Sequence, residues 1–287
     1  MNVLAIGTAH FGLNYGIKNA HKKLDPITVQ NILDLALENK ITTIDTAQGY
    51  GESETVLGNY ILNNPRPDYR IITKIDKATN VAQIINDSFT RLKQDRLYGV
   101  LIHNFELYKN NPIVFEELRE IKEAKQIEKI GFSLYYPEDL EFLLDNKINF
   151  DIIQIAYSIF DRRFEKYFSV LFEKNVEIHI RSVFLQGLFF MDPEKLASHF
   201  DKVKDKLESL HSLSYETGLS ISSLCLNFVA NNSFISKIVI GVDSPEDLLN
   251  NIGVLNENQE VRKYLEILNQ YSVTDLDILF PHFWKLN

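Results

Sequence analysis

Three residue types that can move protons or hold charge fall at matching places along this chain. Asp45 closes a short β-branched run, Lys74 lies inside Ile-Ile-Thr-Lys-Ile, and His103 closes Val-Leu-Ile-His. Taken singly, each has an ordinary structural role: a turn cap, a rim lysine, a core histidine. On neighbouring parallel strands, an acid, a lysine and a histidine would converge at one mouth and form a candidate site. A lysine among isoleucines tends to lose its proton unless it is paired, and Asp45 can hold it charged. Tyr50 follows in Asp45-Thr-Ala-Gln-Gly-Tyr-Gly-Glu-Ser-Glu54, flanked by Gly49 and Gly51. Those glycines allow a sharp bend, so the tyrosine can reach back over the mouth beside Lys74. Ser133, Gln154, Arg181 and Ser182 are further polar residues at or near strand ends.

The elements that must position these side chains alternate regularly. Eight short β-branched runs, at 3–8, 42–46, 70–75, 99–103, 129–133, 152–156, 177–183 and 237–242, read as strands. Helical spacing follows at about 26–39, 53–62, 81–93, 112–124, 137–145, 160–174, 196–213 and 245–254, with a further helix at 221–231. Asp25 is a fitting N-cap and Pro26 a fitting first helical residue. Several strands are apolar on both faces, as parallel strands covered by helices are. Eight such units predict a closed (β/α)8 TIM barrel, a single domain over 1–287, with a doubly wound open sheet as the alternative. Residues 258–287, a helix at 259–271 and an aromatic tail at 277–284, should pack on the barrel, the tail either bracing it or forming a flap over the mouth.

Composition narrows the function classes. The 287 residues are 45% hydrophobic and 24% charged, a balance that needs no staples to build a core. The single cysteine, Cys225, excludes an internal disulfide and a Cys-based zinc site and fits a reducing compartment; no metal is expected. A net charge of −9 argues against a general nucleic-acid or membrane-surface binder, since both partners are polyanionic. With no signal-peptide pattern and no membrane-spanning run, a cytoplasmic location is the default expectation.

The run Ile44-Asp-Thr-Ala-Gln-Gly-Tyr-Gly-Glu-Ser-Glu54 with Leu57-Gly58 resembles the signature of the aldo-keto reductase superfamily. The similarity continues in order. It takes in Gly7-Thr8, Thr73-Lys74, Leu101-Ile-His-Asn104, Ile130-Gly-Phe-Ser133, Gln154 with Tyr157-Ser158, Arg181-Ser-Val-Phe-Leu-Gln-Gly-Leu188 and Ile240-Gly-Val-Asp-Ser-Pro-Glu-Asp-Leu-Leu-Asn-Asn251. Gly7-Thr-Ala-His-Phe-Gly12 and Tyr15-Gly-Ile17 look like a bacterial-type branch, and the hairpin that caps the barrel bottom in many members has no counterpart before strand one.

The resemblance implies an oxidoreductase that interconverts a carbonyl and an alcohol by hydride transfer from NAD(P)(H). Tyr50 would be the general acid, with Asp45, Lys74 and His103 completing the catalytic group. A free tyrosine, with a pKa of about 10, exchanges its proton poorly near neutrality, and an adjacent ammonium favours its ionised form. His103 would orient the substrate oxygen. The cofactor would meet Gly7, Thr8, Asp45, Ser133, Gln154, Arg181, Ser182, Leu185, Gln186, Gly187, Gly241, Asp243, Asp247 and Asn251. Two positions depart from the family pattern. Leu134 stands where an asparagine is common. Arg181 stands where an aromatic often stacks on the nicotinamide, a role that a planar guanidinium can also fill. The family default is NADP(H), yet residues 241–251 contain no lysine or arginine and carry Asp243, Glu246 and Asp247. Carboxylates repel a 2′-phosphate and accept from a free ribose hydroxyl, so the sequence leans to NAD(H) or dual use; the plainer role of these acids is to cap the following helix.

His10, Asn104, Arg181 and the aromatics around the expected mouth suit a small, polar, sugar-like carbonyl compound as substrate, with no nucleic-acid or membrane partner. Two rival functions carry their own signatures. A non-catalytic cofactor-binding regulatory subunit would bind the dinucleotide without turnover. A Schiff-base lyase would use Lys74 as a neutral nucleophile.

Overall fold

The computed structural model describes residues 2–14, 23–66 and 68–285. Eight parallel strands pair in sequence order and close on themselves: β1 (Leu4–Gly7), β2 (Thr43–Asp45), β3 (Arg70–Ile75), β4 (Leu97–Ile102), β5 (Ile127–Ser133), β6 (Ile152–Ala156), β7 (Glu177–Arg181) and β8 (Ile235–Gly241). Closure, with β8 paired to β1, decides for the barrel over the open sheet. The expected Tyr15-Gly-Ile17 lies outside the described residues.

Strand register fixes which side chains meet inside. Lys74 pairs with Leu101, Leu101 with Gly131, Ser133 with Gln154, Gln154 with His179 and Ala156 with Arg181. Paired residues of parallel strands share a face and alternate residues return to it. Asp45, Lys74, Ser133, Gln154 and Arg181 therefore all face inward near the C-terminal ends. A hydrogen bond across the barrel, from Gln154 Nε2 on β6 to Asp45 Oδ1 on β2 at 2.7 Å, shows the same. Below them Ile72, Leu101 and Ile152 form an apolar plug. Gly131 admits the backbone of β6 there, since a Cβ would stand 1.8 Å from the Ile152 carbonyl oxygen. At the bottom Glu177 accepts from Tyr98 Oη at 2.7 Å and Lys129 Nζ at 2.6 Å. The interior is thus polar at both ends and sealed in the middle.

Helices cover the outer face. Pro26–Glu38 starts on Asp25, whose carboxylate accepts from the Ile27 and Thr28 amides. Pro137–Asp145 and Pro245–Val254 match the expected bounds. Other segments differ. The expected helix at 160–174 is reduced to a 3-10 turn, Glu165–Tyr167, and a short helix, Phe168–Glu173. Ser158 Oγ accepts from the Phe160 and Asp161 amides and Asp161 grips Arg163, so side chains claim the backbone groups a helix would need. The segment at 196–213 becomes a 3-10 stretch, Ser198–Val203, followed by Lys204–Thr217. The expected 259–271 helix breaks into Asn258–Arg262, Leu265–Leu268 and Asn269–Tyr271. Among the described residues, no helix is long and apolar enough to cross a membrane.

The tail lies against loops at the C-terminal end of the barrel. Phe280 packs on Tyr135 and Tyr136, and Trp284 on Phe200.

Candidate active site

Lys74 is fully buried and held by three oxygens. Its Nζ lies 2.6 Å from Asp45 Oδ2, 3.0 Å from the Thr46 carbonyl and 3.2 Å from Tyr50 Oη. Burial alone would lower its pKa, but the Asp45 charge and the Tyr50 hydroxyl outweigh this and move it up. The lysine is therefore a fixed ammonium. Its charge also lies 4.8 Å from the Tyr50 ring centre.

Tyr50 reaches this position because its loop is pinned on several sides. Gly51 adopts φ +58, and a Cβ there would stand 2.5 Å from the Gly12 carbonyl oxygen. Gly12 is equally constrained: its Cβ would stand 1.9 Å from the Tyr50 carbonyl oxygen and 2.4 Å from the Ser53 nitrogen. Of the two glycines that flank the tyrosine, only Gly51 has a positive φ. Ser53 Oγ donates to the Thr8 carbonyl at 2.9 Å, and Gln48 Nε2 donates to Ser88 Oγ at 2.8 Å. Buried Glu54 accepts from Thr73 Oγ1 on β3 and from Arg91 Nε.

His103 stands edge-on to Tyr50, with ring centres 5.7 Å apart. Burial, helped by the Lys74 charge, pushes its pKa down to about 4. It is a neutral imidazole at physiological pH, able to donate an N–H without adding net charge.

These groups open onto one cavity of about 1420 Å³ at the C-terminal end of the barrel. Asp45, Tyr50 and His103 line it, as do Gly7, Thr8, Ser133, Gln154, Arg181, Ser182, Gln186, Gly187, Gly241, Asp243, Asp247 and Asn251. Lys74 lies beneath the surface, and Leu185 is the one expected contact drawn away, into the hydrophobic core at 1% exposure. Gln154 has a second partner besides the cavity, since its amide nitrogen holds the second oxygen of Asp45. Ser244 caps the helix Pro245–Val254, its Oγ accepting from the Asp247 amide at 3.1 Å, and the Asp247 carboxylate in the first turn accepts from the Asp243 amide at 3.2 Å. Asp243 also pairs with His10, tying the β8 loop to the β1 loop over the mouth.

Tyr135 and Phe200 are lining residues that escaped the sequence reading. Tyr135, Phe184, Phe190, Met191 and Phe200 give the mouth an apolar side, and no residue from 277 to 284 lines it. Phe184 falls within the run Arg181–Leu188, but aromatic side chains in loops carry no period from which their facing can be read.

The cavity exceeds the roughly 300–1,000 Å³ of sites for drug-sized ligands, which leaves room for a dinucleotide beside a small substrate. The donors fit such an occupant: a hydroxyl and an amide at Ser133 and Gln154, and a guanidinium at Arg181 whose Nε is buried without a partner.

Known proteins agree with this architecture. The Aldo/keto reductase family model matches residues 3–284. The chain is 23% identical over 273 residues to the uncharacterized oxidoreductase YqkF of Bacillus subtilis, covering 86% of this chain and 88% of that protein. It is 23% identical over 250 residues to an L-galactose dehydrogenase of Arabidopsis thaliana, covering 80% and 78%. The holo form of the aldo-keto reductase AKR11C1 from Bacillus halodurans superposes with a TM-score of 0.78 at 22% identity, over 95% of this chain and 94% of that one.

Proposed function

This chain belongs to the aldo/keto reductase family of oxidoreductases, and we propose that it interconverts a small polar carbonyl compound and its alcohol with Tyr50 as the proton donor and acceptor. The observation that carries the assignment is the ammonium of Lys74, 3.2 Å from Tyr50 Oη and neutralised by Asp45 from behind. Bound NAD(P)H supplies the hydride. As negative charge grows on the substrate oxygen, Tyr50 donates its proton to it, and the phenolate that remains is stabilised by Lys74. Neutral His103 donates a hydrogen bond to the same oxygen. Gln154 keeps Asp45 turned toward Lys74, and its amide oxygen and Ser133 Oγ are suited to the carboxamide of the cofactor.

The name of the L-galactose dehydrogenase relative supports a sugar-like substrate. Asp243 and Asp247 on the cavity wall, with no lysine or arginine in 241–251, favour NAD(H) or dual use over NADP(H) alone. Lys74 counts against a Schiff-base lyase, because it is charged, fully buried and off the cavity wall. The assignment is tested with Tyr50→Phe. Turnover should fall by about 10²- to 10⁴-fold, the usual worth of a positioned acid, while cofactor affinity stays near wild type. Wild-type turnover in this variant would remove Tyr50 from the mechanism.

A further inference from the structure

Most charges of the cavity have a partner of opposite sign; among the described residues Arg181 and Asp247 form no ion pair. Asp45 neutralises Lys74, Asp243 meets His10, and Lys195 at the rim is held by Asp192 at 2.7 Å. Arg181 lines the same cavity, and no carboxylate of the described residues lies within salt-bridge distance of it. Its guanidinium makes one hydrogen bond to the Leu134 carbonyl at 3.0 Å and one to Ser182 Oγ at 3.4 Å, and lies 4.2 Å from the centre of the Tyr135 ring. Its Nε is buried with no partner. A guanidinium has five N–H donors, so these contacts leave several unused. A side chain braced in this way is an incomplete fork, fixed in orientation and lacking its anion.

We propose that Arg181 selects carbonyl substrates that carry a carboxylate, binding it through the guanidinium edge while the carbonyl sits at Tyr50 and His103. This rests on the carbonyl chemistry proposed above. Three features favour a substrate carboxylate over a cofactor phosphate. The guanidinium leans from β7 past β6 to the loop after β5, away from the acidic Gly241–Asn251 side where the adenosine end would lie. One carboxylate balances one guanidinium, whereas a phosphate dianion would leave a net negative charge in a cavity that already holds Asp247 without an ion-pair partner among the described residues. The Tyr135 ring, 4.2 Å from the guanidinium, covers one side of the pair against water, which strengthens it.

The test compares a matched pair of aldehydes, 4-oxobutanoate and butanal, with wild type, Arg181→Gln and Arg181→Lys. The quantity read is the ratio of kcat/KM for the acid over the neutral aldehyde within each protein, so a general loss of activity cancels. Wild type should favour 4-oxobutanoate by roughly ten- to a hundredfold, as a charge-assisted pair is worth. Arg181→Gln should bring the ratio near one, and Arg181→Lys should lie between. Calorimetry with the unreactive ligands butanoate, butanamide and inorganic phosphate, on enzyme loaded with NADH, reads the same preference without turnover. Butanoate should bind best, and only to proteins that keep the cation. Equal binding of butanoate and butanamide by wild type would overturn the assignment, as would tighter binding of phosphate. So would an Arg181→Gln variant that loses cofactor affinity while keeping the ratio, because the arginine would then serve the cofactor. Turnover of butanal without preference for the acid would sink this inference and leave the carbonyl chemistry standing; carboxylate binding without turnover of either aldehyde would do the reverse.

Discussion

Lys74 never touches the cavity, yet it sets what Tyr50 can do, and Asp45 sets the charge of Lys74. Asp45→Asn should therefore fail twice. It leaves a buried ammonium without its counter-charge, at a cost of about 3–5 kcal/mol, and it frees the lysine to lose its proton. Thermal denaturation should show the loss of stability, and the surviving folded enzyme should lose turnover; an Asp45→Asn protein as stable and active as wild type would refute the coupling. His103 makes a separate prediction. Its pKa falls from 6.5 to about 4 on folding, so between those values the unfolded chain takes up a proton that the folded chain refuses. Its contribution is complete above pH 6.5 and is lost as pH falls toward 4, by about 3 kcal/mol in all. The melting temperature of wild type should fall relative to His103→Gln across that window. A difference independent of pH would mean that the histidine is not held neutral. At this scale the lone polar residues of the strands were legible, because a lysine among isoleucines and a histidine after a β-branched run stand out. The Gln154–Asp45 bond was not, since it joins strands that are not neighbours and depends on barrel closure.

At the scale of elements, the short helix Ala9–Gly12 and the loop carrying Tyr50 are interlocked through backbone rather than side chains. Gly12→Ala should push that loop outward and cost most of the turnover while the barrel still folds. Gly253 lies in the helix Pro245–Val254 with open space where a Cβ would go. Gly253→Ala should stabilise by up to about 1 kcal/mol through helix propensity and leave kcat unchanged. If both substitutions behave alike, the interlock does not position the tyrosine. The strands and the capped helices were readable because β-branched runs and Asp25-Pro26 are local signals. The helix expected from 160 is shortened because helical spacing persists where Ser158 and Asp161 have already captured the backbone. The short helix Phe105–Asn110 is too brief to show an apolar period, and its cap, Asn104, is an exposed polar residue like many others.

At the scale of the molecule, a chain of net charge −9 would bind an anionic cofactor or substrate only where it gathers cations locally. The 241–251 side of the cavity, where the adenosine end is proposed to lie, carries Asp243 and Asp247, so kcat/KM with NADH should equal or exceed that with NADPH. Asp247→Arg should shift the ratio toward NADPH by at least tenfold; a strong NADPH preference in wild type would contradict the reading of Asp243 and Asp247. Barrel closure brings strand ends far apart in sequence, from Gly7 to Gly241, onto one cavity wall, which is why the order of motifs along the chain was informative while the facing of the loop aromatics was not. The central claim, carbonyl reduction by hydride with Tyr50 completing the proton transfer, is tested most directly by following a label. Cofactor deuterated at the transferable C4 position is incubated with a panel of sugars, aldehydes and carboxylate-bearing aldehydes. The account predicts deuterium on the carbinol carbon of the alcohol product, and in Tyr50→Phe a rate lower by orders of magnitude. Tight cofactor binding with no deuterium transferred to any carbonyl would identify a regulatory subunit instead and contradict the account.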